Sequence, residues 1–230
     1  MSPLPTGARG PATPALVASG VSLPALPPRV PTRRYTVARP LGRFILWALG
    51  WQFTGGFADA PRQVVALWPH TSNWDGVIGL AGAAVCGVDI GFLAKRQLFR
   101  PPMGWIMREL GGVAVERGRP GGLVGEAIER FKDAQESGGA FVLAILPEGT
   151  RARGEAWKMG FHRIATGAGV PIAVVGLDYR TKRLGVIGTI EPSGDAEADL
   201  AAIAAILKDV RGRHPAKATP PRALPPEASA

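Results

Sequence analysis

A chain of 230 residues with 46% hydrophobic side chains suits one sizeable core plus tails, and its single cysteine, Cys86, excludes an intramolecular disulfide. The net charge of +9 and a pI near 10.6 point to an anionic partner such as acidic lipid, a phosphorylated substrate or nucleic acid. No zinc-finger spacing, RNA-binding aromatic signature or helix-turn-helix pattern accompanies the charge, and His70, His162 and His214 lack the paired spacing of metal ligands.

Residues 1–34 are rich in Pro, Ala and Gly and contain no acid, which reads as a disordered leader extending to about residue 40. Pro24 interrupts their apolar stretch, and the pattern is not that of a signal peptide. Residues 41–57 hold Phe44, Trp47, Leu49, Trp51 and Phe53 behind a run of arginines that includes Arg39 and Arg43. The segment is short of the roughly 20 apolar residues a bilayer span requires. It fits either an interfacial anchor on an anionic membrane or an amphipathic helix covering the domain's own core.

From residue 62 onward the pattern is α/β. Strands are expected at Val64–Trp68, Asp89–Ala94, Val113–Val115, Phe141–Leu146, Pro171–Leu177 and Arg183–Ile190. Helices are expected over 73–86, Pro102–Leu110, Gly122–Ser137, Trp157–Gly167 and Asp195–Val210. Residues 211–230 read as a disordered tail, which leaves 41–210 as the folded domain. Cys86 lies in an apolar run and reads as a small buried hydrophobe.

Two polar stretches interrupt the core patterning at the carboxyl ends of strands, where ligand sites of α/β sheets lie. The first is Pro69-His70-Thr71-Ser72-Asn73-Trp74-Asp75, with Ser72 or Asn73 available as N-cap of the following helix. On one regular helix His70 and Asp75 would point about 140° apart, so they could not pair there. Across a strand-to-helix turn they can. Asp75 could then accept a hydrogen bond from the His70 ring, which would fix its tautomer and make it a general base for a hydroxyl. The second is Pro147-Glu148-Gly149-Thr150-Arg151, a Gly turn with an acid, a hydroxyl and a guanidinium suited to phosphate or carboxylate. Between them, basic residues collect at element ends, Lys95, Arg96, Arg100, Arg117 and Arg119. Neither a P-loop nor a dinucleotide fingerprint is present.

Together these stretches resemble the glycerolipid acyltransferase family, which contains the lysophosphatidate and glycerol-3-phosphate acyltransferases. The resemblance covers roughly residues 60–180. His70 and Asp75 match the family's HxxxxD motif. Gly112 to Arg117 matches its second motif, with Glu116 where Asp is usual. Pro147 to Arg151 matches PEGTR, with Ala152 replacing the usual Ser. Val170-Pro171-Ile172-Ala173 matches the fourth motif, with Val174 where a second Pro is usual, and Lys158-Met159-Gly160 resembles the family's step after PEGTR.

The resemblance implies a central mixed sheet flanked by helices, with the apolar N-terminal segment docking on a membrane. It implies an O-acyltransferase of phospholipid biosynthesis, like a 1-acylglycerol-3-phosphate O-acyltransferase. A fatty acyl group would move from acyl-CoA or acyl carrier protein to the hydroxyl of a lysophospholipid acceptor. His70 would be the base and Asp75 its partner. Arg117, Glu148, Gly149, Thr150 and Arg151 would hold the acceptor's head, Arg117 above all its phosphate, with Lys95 and Lys158 toward acceptor or donor phosphates. Backbone N–H groups near 147–151 or 70–76 are candidate oxyanion donors. No cofactor, metal or nucleic acid is implied, and attachment is expected at the cytoplasmic face of an anionic membrane, peripheral or monotopic. The rivals are a His/Asp-dependent thioester or phosphate-ester hydrolase and a non-catalytic protein binding anionic lipid or nucleic acid.

Overall fold

The computed structural model describes residues 23–101, 103–115 and 122–223. The chain runs α1 (Ala38–Ala48), β1 (Gln52–Phe53), β2 (Arg62–Trp68), α2 (Asn73–Cys86), β3 (Ile90–Lys95), α3 (Met103–Glu109) and β4 (Gly112–Val115). It continues through α4 (Gly122–Glu136), β5 (Phe141–Ile145), α5 (Gly160–Ala168), β6 (Ile172–Asp178), β7 (Arg183–Ile190) and α6 (Ala196–Leu207). Short 3-10 turns at Arg96–Phe99 and Pro215–Lys217 complete it. The strands form one seven-stranded sheet in the order β1-β7-β6-β2-β5-β3-β4. Its pairs are parallel except β6 with β7, so the sheet is mixed and helices flank it.

β2 sits at the centre because it is apolar on both faces, as a strand covered on both sides must be. Successive side chains alternate between two cores. Val64, Ala66 and Trp68 join the core built with Phe131 of α4, Phe161 of α5 and Ile203 of α6. Val65 joins the opposite core with Leu46, Trp51, Ile78 and Val85. The helix after β2 therefore lies on one face, and α5, which carries the chain from β5 over to β6, packs on the other. β5 and β6 pair on either side of β2. A crevice opens where such connections diverge, at the carboxyl end of the strand between them.

The strands and helices expected from pattern are present, with shifts at their ends. The helix expected at Trp157 begins only at Gly160, because tertiary bonds capture the residues before it. Trp157 donates its amide to the carbonyl of Arg222 at 2.9 Å and its indole N–H to that of Thr219 at 3.0 Å. The boundaries of the folded domain also differ from expectation. Val30 and Tyr35 are buried, and the Tyr35 hydroxyl donates to the carbonyl of Val88 at 2.9 Å, so residues from the expected leader pack on the domain. Residues 211–223, expected as tail, lie across it and bury Thr219. Both segments look unstructured by composition, but each is held by long-range hydrogen bonds that composition does not encode. Residues 1–22 and 224–230 lie outside the described residues.

The 41–57 segment divides. Leu46 and Trp51 are buried, and α1 lies close against α2: a Cβ on Gly42 would come within 3.0 Å of the Ala81 carbonyl oxygen. The other side of α1 presents Val37, Leu41, Phe44 and Trp47, each more than half exposed. Among the described residues no helix is long and apolar enough to cross a membrane.

On the α5 and α6 side of the sheet, the two helices are joined by a buried pair. His162 Nε2 lies 2.7 Å from Asp199 Oδ2, and Ser193 donates its amide and hydroxyl to the same carboxylate at 2.9 and 2.8 Å. Burial alone would raise the Asp199 pKa, but the bonds from His162 and Ser193 outweigh it and hold the carboxyl below its usual 3.8. Its contribution to stability is thus complete above pH 3.8 and is lost as pH falls through the lower, folded value. Replacing Asp199 by Ala leaves the buried His162 without its partner and removes the acceptor of the Ser193 amide. The expected cost is about 3 kcal/mol in urea denaturation at neutral pH. A loss under about 0.5 kcal/mol, the range of ordinary surface changes, would mean that the pair does not hold the two helices.

Candidate active site

The β2–α2 turn is built around Asp75, which is fully buried. β2 ends at Trp68, a cis peptide bond leads into Pro69, and the chain turns through His70 before α2 begins. Ser72 is the N-cap, accepting the Trp74 amide on its hydroxyl at 3.2 Å. Asp75 closes the capping box, accepting the Ser72 amide at 2.7 Å and the Thr71 amide at 2.5 Å on Oδ2. Its other oxygen, Oδ1, accepts the hydroxyl of Tyr179 at 2.5 Å, from just beyond β6. Burial and the adjoining Asp75 both raise the Tyr179 pKa, so the phenol keeps its proton and remains a donor.

The turn brings His70 and Asp75 together, but not through the expected hydrogen bond. His70 Nδ1 is 3.8 Å from Asp75 Oδ2, too far for such a bond, and it is buried with no hydrogen-bond partner. The reason is occupancy: two backbone amides and a phenol already take both carboxylate oxygens. Asp75 therefore acts on the ring as a nearby charge and as the pin of the turn. Burial is the larger influence on His70 and lowers its pKa below the usual 6.5; Asp75 opposes that shift and Arg151 adds to it. A neutral imidazole with a free nitrogen can take a proton at neutral pH.

Glu148, from the Gly turn after β5, approaches from the backbone side. Its Oε1 accepts the His70 amide at 2.7 Å and its Oε2 accepts the Thr219 amide at 3.0 Å. The side chain is 2% exposed, so it faces the fold rather than a ligand. Burial raises its pKa, against the lowering effect of these amide bonds. Gly149 has φ of +64°, and a Cβ there would come within 2.8 Å of the Lys158 side chain, which crosses it. The exposed side chains of Thr150, Arg151 and Lys158 are the polar groups this loop offers to solvent. Lys95 closes β3, and Arg117 lies outside the described residues. The amides of His70, Thr71, Ser72 and Gly149 are committed within the fold, which removes several candidate oxyanion donors.

Tyr179 and Thr219 are the site residues that sequence reasoning missed. The first follows an ordinary buried strand and the second sits in an Ala/Pro-rich tail. Only the sheet order, which sets β6 beside β2, could have suggested Tyr179.

On one side of this turn an apolar cavity of about 280 Å³ runs between α2 and the sheet. Asp75 and Gly76 lie at one end of its lining, Gly79, Gly82 and Leu67 line its length, and Cys86 and Ile90 lie farther along. Glycines on α2 keep that helix near the sheet: a Cβ on Gly82 would come within 2.9 Å of the Leu184 side chain. Burial pushes the Cys86 thiol up to about 12, which leaves it an unreactive wall residue. Among the described residues no group of three or more His, Cys, Asp or Glu side chains gathers to hold a metal. The arrangement thus places an imidazole beside a buried carboxylate that also lines an apolar cavity, with the Arg151 charge acting on the ring.

A family model described as Acyltransferase matches residues 56–178, more than half of the chain, and takes in both the His70 turn and the Glu148 loop. No curated protein shows a sequence match. Among solved structures the fold is similar to that of the 1-acyl-sn-glycerophosphate (LPA) acyltransferase PlsC from Thermotoga maritima. The TM-score is 0.52 at 22% identity, covering 75% of each chain. On the strength of the family match across the turn and the loop, this chain belongs to the acyltransferase family.

Proposed function

We propose that the protein moves a fatty acyl group from the thioester of acyl-CoA or acyl carrier protein to the hydroxyl of a lysophospholipid, a 1-acylglycerol-3-phosphate or a close relative. The observation that carries this reading is the His70 ring 3.8 Å from Asp75, a buried carboxylate that also lines an apolar cavity. An acyl chain in that cavity would bring its thioester carbonyl toward the histidine.

In this reading His70 takes the acceptor hydroxyl's proton as the oxygen attacks the thioester carbon. The imidazolium that forms faces Asp75 at 3.8 Å. The tetrahedral intermediate collapses with cleavage of the C–S bond, and the proton passes from His70 to the departing sulfur. No acyl-enzyme forms. In this reading Arg151 and Lys158 supply the cations for the oxyanion and for the acceptor's head, joined by the Thr150 hydroxyl, with Gly149 shaping the turn that presents them. We assign Arg117 to the acceptor's phosphate by its position in the family's second motif, and Lys95, a cation at the end of β3, to acceptor or donor phosphates. Glu148 supports the site through the His70 amide.

The exposed side of α1 supports attachment to an anionic membrane surface. Val37, Leu41, Phe44 and Trp47 recur at helical spacing on that side, and Arg39 and Arg43 interleave with them. This is the arrangement of a helix lying in the headgroup zone, on the face where the acceptor and donor are supplied.

Thiol release from palmitoyl-CoA by purified protein, with and without a panel of lysolipids, tests the reaction. Release is expected only with an acceptor, and His70→Ala should lower it by roughly 10²–10⁴-fold, the usual worth of a general base. Release without any acceptor would make the protein a hydrolase, and full activity in His70→Ala would remove the mechanism. For the membrane, Phe44→Ser combined with Trp47→Ser should weaken binding to phosphatidylglycerol vesicles at least about tenfold, given what burying such side chains is worth. Undiminished binding would contradict attachment through α1.

A further inference from the structure

The C-terminal segment, beyond the part of the chain that carries the family match, runs from the end of α6 across three loops of the site. Tyr179 donates its amide to the carbonyl of Arg211 at 2.8 Å. Gly212 lies so close to the turn that a Cβ there would come within 2.8 Å of the Pro69 ring. His214 donates its amide to the Thr71 hydroxyl at 3.3 Å. Farther along the segment lies Thr219, which is wholly buried. Its carbonyl accepts the indole N–H groups of both Trp68 and Trp157 at 3.0 Å. Its hydroxyl accepts the Gly154 amide at 2.9 Å, and its amide donates to Glu148 Oε2 at 3.0 Å.

We infer that Thr219 is a positioning residue for the reaction: it holds the Glu148 carboxylate from one side, and that carboxylate holds the His70 backbone from the other. The inference rests on the acyl-transfer reading for its effect on rate, but the linkage itself is geometric. Glu148 has both oxygens engaged, one by each end of this relay. A buried carboxylate that loses donors is poorly tolerated, so it takes up a proton or shifts, and the His70 amide loses its acceptor. The Thr219 hydroxyl contributes by anchoring the residue: it accepts the Gly154 amide at 2.9 Å, and so helps hold in place the Thr219 amide that donates to Glu148. Displacing His70 by a fraction of an ångström against a bound thioester changes the rate steeply.

The test uses the full-length protein with Thr219→Val, which keeps the side chain's shape and the residue's amide, and Thr219→Ser, which restores the hydroxyl. Two readouts are followed: hydrogen exchange of the His70 amide, and kcat for thiol release with the acceptor present. The valine variant is expected to exchange the His70 amide at least about tenfold faster, the equivalent of one hydrogen bond. Its kcat should fall by roughly tenfold to a hundredfold with the acceptor KM little changed, and the serine variant should recover both. Unchanged protection of the His70 amide in Thr219→Val would overturn the inference. So would global unfolding of Thr219→Val and Thr219→Ala alike, which would make the residue a structural hub only. Because amide exchange does not require turnover, an inactive wild-type enzyme would count against acyl transfer and leave the exchange result to decide the relay.

Discussion

The site depends on the burial of one carboxylate. Asp75 is removed from water, which is costly for a charged group unless it is hydrogen-bonded. Two backbone amides of the turn and one phenol from the neighbouring strand offset that cost. These three bonds accomplish separate tasks together. They cap α2, they define the path of the chain between β2 and α2, and they tie that path to the end of β6. The negative charge left in the centre is then what His70 faces. An asparagine at this position would present an N–H where an acceptor is needed, and would disturb the cap and the histidine at once.

The placement of β2 turns this local arrangement into a site. Being apolar on both faces, β2 takes the middle of the sheet, and its neighbours β5 and β6 bring Glu148 and Tyr179 to the same edge. One carboxylate approaches the histidine from the ring side and another from the backbone side. The same strand and the glycine-bearing α2 border the cavity, so Asp75 belongs both to the turn that carries His70 and to the lining of an apolar space. Lowering the His70 pKa by burial is useful here, since the ring is then neutral and ready at physiological pH.

Much of this was legible in the chain. The alternation from apolar strand to polar turn to small-residue helix marked residues 64–86, and the positions of His70 and Asp75 followed from the reasoning that a turn, unlike a helix, can bring them together. The Gly turn carrying Glu148 and Arg151 was legible in the same way. What sequence reasoning missed is tertiary. The direct His70–Asp75 hydrogen bond fails because backbone amides compete for the carboxylate, and no side-chain pattern reports that competition. The resemblance puts Glu148 on the acceptor's head, yet it is buried, because the amides that satisfy it come from His70 and from Thr219, 71 residues away. Trp51 sits among aromatics that fit either an anchor or a helix covering the core, and packing decides it: Trp51 lies edge-on against Tyr179 at 4.9 Å and belongs to the core. Pro- and Ala-rich composition marked residues near Thr219 as disordered, although a segment with few apolar side chains can still be held when its backbone satisfies buried indoles.

The most direct test of the central claim, that burial keeps His70 a neutral base despite the Asp75 charge, is the pH dependence of kcat/KM for the acceptor at saturating acyl-CoA. Loss of activity on acidification should follow protonation of His70, so the midpoint of the acid limb is expected below 6.5, the usual value for histidine. Arg151→Gln, which removes a positive charge that lowers the His70 pKa, should move that limb upward. A limb at or above 6.5 in the wild type, or one that moves downward in Arg151→Gln, would contradict the account.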